Sequence, residues 1–103
     1  MSEIAGSRRA LVARLLGGDG EAASELRRAA FDASELPEPL GSFVQKIAIR
    51  PRDVDAADIA AARAAGLTED QLFEVVVCAA VGQAIRQHDA ALAAVDAAST
   101  QGG

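Results

Sequence analysis

The chain has 103 residues, half of them hydrophobic and only 3% aromatic, with a formal net charge of −5 and a pI near 4.7. That length makes one domain, burying roughly 60–70% of its unfolded surface. Its ten Lys and Arg are dispersed, nine of them Arg, which argues against a nucleic-acid backbone or an anionic membrane as main partner, and no apolar run is long enough to span a bilayer.

Helical periodicity starts near residue 3 and runs to about 16, with Ile4, Leu11, Val12, Leu15 and Leu16 on one side. The opening MSEIAGSRRALVARLL carries acid and arginine where a signal peptide needs an apolar stretch, so none is expected. GGDG at 17–20 ends the first helix, because adjacent glycines are poor helix formers. A second helix is predicted over about 20–33, with Ala22, Leu26, Ala29, Ala30 and Ala33 at spacings of three and four. SELPEPLG forms a Pro-containing connection to a third helix over about 39–49, with Leu40, Phe43, Val44 and Ile47 on one face. Pro51 ends it, since the residue before proline is pushed out of helical geometry.

Asp55 is the expected N-cap of a short fourth helix, with Asp58 in its first turn and Gly66 as a left-handed stop. TEDQ at 68–71 reads as a capping box for a long fifth helix extending as far as Ala97. The expectation is an all-α fold of about five helices, one domain over 1–95, with residues 96–103 a flexible tail. Alanine-rich, aromatic-poor chains pack helices closely and often bury more surface between subunits, so a homo-oligomer is expected.

The single cysteine, Cys78, and the single histidine, His88, both fall on the fifth helix. Ten residues of helix separate them by about 15 Å along the axis and about 80° around it, too far for a thiolate–imidazole pair. Gly82, between them, is read as a place where a neighbouring helix comes close. Cys78 follows the apolar run FEVVV and reads as a packing residue. Glu74, one turn before it, would raise the thiol pKa and lower its reactivity. His88 lies on the stripe Val81, Ala84, Ile85, His88, Leu92, Val95, which faces the core or an interface, and Arg86 is spaced to pair with Asp89. One cysteine forms no internal disulfide, which fits a cytoplasmic protein. The segment 58–76 imitates a helix-turn-helix, but Glu69, Asp70 and Glu74 open its second helix where DNA phosphates require cations.

Residues 43–95 resemble the C-terminal part of carboxymuconolactone decarboxylase and alkylhydroperoxidase D-like proteins. The resemblance rests on Arg50-Pro51, Val54, Asp58-Ile59, Arg63-Ala64-Ala65-Gly66-Leu67 and Thr68-Glu69-Asp70, together with Leu72, Glu74 and Arg86. It implies that family's helical fold. The peroxidase members carry C-x-x-C followed by His on an earlier helix, and that motif is absent here, so Cys78 inherits no peroxidatic role. No cofactor or metal is read from the sequence.

Three functions remain open. The first is an oligomeric binding or accessory protein without the dithiol. The second is a decarboxylase or lactone-handling enzyme with His88 as acid or base and Arg86 holding a small carboxylate in a pocket between subunits. The third is a single-thiol peroxide reductase acting through Cys78.

Overall fold

In a computed structural model, residues 2–17, 20 and 22–102 are described, with side chains over 8–17, 20 and 22–100. They form five α-helices and no strand: α1 (Ser2–Gly17), α2 (Ser24–Asp32), α3 (Leu40–Ile49), α4 (Ala56–Ala64) and α5 (Glu69–Gly102), with a 3-10 turn at Pro51–Asp53. The all-α expectation holds, and most boundaries fall where local chemistry puts them. Arg50 leaves helical geometry at φ −136° and ψ 61° immediately before Pro51. Asp55 caps α4 through a box in which its side chain accepts from the Asp58 N–H, while the Asp58 carboxylate accepts from the Asp55 N–H. Gly66 takes φ 109°, and Thr68 and Gln71 close a second box at 2.9 and 3.1 Å that opens α5.

Two boundaries differ from the sequence reading. α2 begins at Ser24 rather than near residue 20, because the Ala22 N–H donates to Glu74 Oε2 on α5 at 2.8 Å and holds this stretch against the core. α5 continues beyond Ala97 to Gly102, since DAASTQ contains no breaker and Thr100 Oγ1 donates back to the Asp96 carbonyl. The 96–103 segment expected as a tail is therefore helical as far as Gly102.

The first half of α5 is the spine. Leu72, Val75, Cys78 and Ala79 are buried against Ala30 of α2, Phe43, Val44 and Ile47 of α3, and Ala62 of α4, with Leu16 of α1 closing the cluster. Burying a side chain such as Val, Leu, Ile or Phe contributes about 1.5–3 kcal/mol, so this cluster is the main stabilising feature. The second half of α5 leaves the body, and residues 87–100 are exposed along its length. This accounts for the elongated shape, 55 × 29 × 20 Å with a radius of gyration of 15.9 Å. A compact domain of this size would have about 13 Å.

α2 meets α5 at one close approach. Ala33 turns left-handed at φ 53° and ends α2, and the Phe31 carbonyl then sits against Gly82. A Cβ at position 82 would collide with that carbonyl. One turn further on, Arg86 donates Nη1 to the same oxygen and Nη2 to Gln83 Oε1 at 2.9 Å. A helix end leaves carbonyls without intrahelical donors, and Arg86 supplies one here.

Two predictions follow from this packing. Gly82→Ala adds about 1 kcal/mol of helix propensity at an ordinary exposed site. Here the collision should reverse the sign, costing a net amount on the order of 1–2 kcal/mol in urea unfolding, within the usual range for overpacking; a stabilised variant would contradict the close approach. The second concerns acid. Lys46 Nζ lies 2.9 Å from Asp58 Oδ2, joining α3 to α4. The Lys46 bond first, and then the Asp55 N–H, hold the Asp58 carboxyl below its usual range. A carboxyl lowered on folding stabilises fully above its unfolded pKa and loses that contribution as pH falls through the folded value. Asp58→Asn should thus lower the melting temperature at pH 7, and the gap from the parent should close on acidification below the ordinary carboxylate range. A gap independent of pH would rule this out.

Candidate functional site

Cys78 is completely buried in the spine of α5. Burial pushes its thiol up, the Arg27 charge pulls it back, and Glu74 adds to the rise, as the spacing of Glu74 and Cys78 predicts. Arg27 is itself 6% exposed and donates Nη1 to the Leu15 carbonyl at 2.8 Å. It thereby places a cation at the C-terminal end of α1, where the helix dipole favours one. Gly20 lies between Arg27 and Glu74: a Cβ there would press on the Glu74 carboxylate and come 3.3 Å from Arg27 Cζ. Arg27 and Glu74 thus fasten the α1–α2 connection to α5, with the thiol beneath them.

His88 lies elsewhere. Its side chain is 64% exposed, and Nδ1 stands 4.0 Å from Asp89 Oδ1. Within this chain it faces solvent rather than the core, and so do Leu92 and Val95 of the same stripe. The reason is that α2 ends opposite residues 82–86, leaving nothing from α2 to cover the next turns of α5. The expected Arg86–Asp89 pair does not form. Arg86 turns to the end of α2, while Asp89 accepts from both terminal nitrogens of Arg8, at 3.1 and 2.9 Å. Positions i and i+2 do not share a helix face, and the structure keeps Arg86 and His88 apart accordingly.

What His88 does line is an open groove of about 1300 Å³ between α1, α2 and α5. Its apolar walls come from Val12 and Leu16 on α1, Phe31 on α2, and Ile85 and Leu92 on α5. Three of the chain's ten basic residues, Arg8, Arg9 and Arg28, also line it, against one acid, Glu25. Neither Arg86 nor Cys78 is among the lining residues. Periodicity did not single out Arg9 or Arg28. The available signal was the pair of Arg-Arg dipeptides at 8–9 and 27–28. In the second pair Arg27 turns inward, and in the first Arg8 is ion-paired, which leaves Arg9 and Arg28 to the groove.

No protein-family model, curated protein or solved structure matches this chain. Among the described residues no three His, Cys, Asp or Glu side chains gather as a metal site requires, and no helix is long and apolar enough to cross a membrane.

The buried, raised thiol sets a direct expectation. A disulfide-exchange reagent should modify Cys78 in the native protein at least a hundredfold more slowly than in urea-unfolded chain. Comparable rates in the two states would place the thiol at the surface.

Proposed function

We propose that the chain is a small oligomeric binding protein of the carboxymuconolactone decarboxylase and alkylhydroperoxidase D-like kind, lacking the redox dithiol, and that the groove between α1, α2 and α5 is its ligand site. The observation that carries this reading is the groove itself: apolar walls, a few convergent polar groups, and a volume large enough for a small molecule. The sequence supports the absence of peroxidase chemistry, because its single thiol has no resolving partner. Burial of Cys78 weighs in the same direction against a one-thiol reductase. A lone reduced thiol also suits the cytoplasm.

Support for an oligomer comes from an apolar side chain left uncovered near the start of α5. Leu72 and Val75 face the core, whereas Phe73 is 59% exposed beside half-buried Val76 and Val77. A second copy covering Phe73 is the simplest way to bury it.

A second reading is favoured by the position of His88 in the groove: a decarboxylase or lactone-handling enzyme with His88 as acid or base. In that reading Arg86, bound to the Phe31 carbonyl, fixes α2 next to His88 instead of gripping substrate.

Thermal-shift titration with small molecules of sizeable apolar body tests the binding reading. Stabilisation should saturate with the parent protein and disappear in Ala13→Trp, which fills the groove from its exposed α1 wall; no saturating compound, or an unaffected variant, would refute it. Sedimentation should give a multiple of 10.5 kDa that falls towards one chain in Phe73→Lys. A His88→Ala variant of unchanged melting temperature that loses turnover of a lactone acid would favour the second reading.

A further inference from the structure

The register of the three helices gives the groove a direction. Arg8 bonds Asp89 and the connection after α1 meets Glu74, so α1 runs antiparallel to α5. Ala22 bonds Glu74 and Phe31 bonds Arg86, so α2 runs parallel to it. Arg8, Arg9 and His88 therefore gather at one end of the groove, and Leu16, Ser24 and Glu25 at the other. Arg28 stands on α2 one turn before Phe31, between the two ends. From Arg9 to Leu16 the α1 wall runs about 10 Å, at 1.5 Å per residue, past Val12.

The positive charges of the groove are not all committed. Arg8 is held by Asp89, but Arg9 and Arg28 make no hydrogen bond or ion pair among the described residues. A local excess of cations on a chain of net charge −5 is the electrostatic complement of an anion. A ligand of a few heavy atoms would leave most of the apolar wall wet, so a longer apolar body fits the groove better.

We propose that the groove binds an amphipathic carboxylate, a single anionic head on an unbranched apolar chain of roughly ten carbons, with the head between Arg9, Arg28 and His88 and the tail along Val12, Leu16, Phe31 and Ile85. Arginine suits the head because its planar donors match a carboxylate. The tail displaces water from side chains that the fold leaves half covered. This rests on the groove being a ligand site, and it adds the ligand's chemistry.

Calorimetric titration with decanoate, decan-1-ol, decylammonium and acetate tests it on the full chain. Decanoate should bind saturably at one per chain, decanol and decylammonium at least tenfold more weakly, and acetate not measurably. Arg9→Gln/Arg28→Gln should weaken decanoate tenfold or more while leaving decanol unchanged, and Ala13→Trp should abolish decanoate binding. Decanol or decylammonium binding as tightly as decanoate would overturn the anionic head and leave the groove as a ligand site. Failure of all three ten-carbon probes to saturate would overturn both readings. Decanoate binding insensitive to the arginine pair and to Ala13→Trp would place it elsewhere. Groove variants that change the sedimented mass instead of decanoate binding would make the groove a surface between copies, and that too would overturn the proposal.

Discussion

The seating of the Phe31 carbonyl against Gly82 and under Arg86 determines where everything on the α1 side of the molecule lies. It brings α2 alongside α5 at a distance no residue with a Cβ would allow. With α2 in place, Arg27 reaches the end of α1 at the Leu15 carbonyl, and Glu74 takes the Ala22 N–H. α1 is thereby tied at its C-terminal end, and the Arg8–Asp89 pair ties its other half to α5. The groove is the space left between the closely packed pair of α2 and α5 and the first helix, which is tied to them near its ends.

The same seating divides the polar residues of α5 between structure and surface. Arg86 is spent on the end of α2 and Glu74 on the α1–α2 connection, while Cys78 lies beneath them in the core. His88, two residues past Arg86, lies on the exposed half of α5 beyond the end of α2 and lines the groove. A chain with one thiol, one imidazole and a prominent arginine on a single helix thus places each in a different setting. Within one chain, geometry rather than composition keeps them from acting together.

The parts of the fold controlled by neighbours in sequence were readable from it. The boxes at Asp55–Asp58 and Thr68–Gln71, the stop at Gly66 and the break at Pro51 need only residues within four positions, and each forms as its chemistry dictates. Gly82 was readable too, because a glycine among good helix formers signals a close contact. The start of α2 was not, since Glu74, more than fifty residues away, takes the N–H that a longer helix would use. Nor was the setting of His88. Periodicity shows that it shares a stripe with Ile85 and Leu92, but whether that stripe is covered depends on where α2 stops, and Ala33 decides that. The groove arginines lay hidden in two dipeptides whose members part company only on folding, one held by the protein and the other left to the groove.

The central claim is that a groove set by the α2–α5 docking holds an anionic apolar ligand. Amide chemical-shift mapping of the isotopically labelled chain during decanoate titration tests it most directly. The largest changes should fall on Arg9, Val12, Arg28, Phe31, Ile85 and His88, with little at Ile49 or Phe73, which are exposed outside the groove. Changes centred on Phe73 and Ile49, or spread evenly over the exposed second half of α5, would contradict the account.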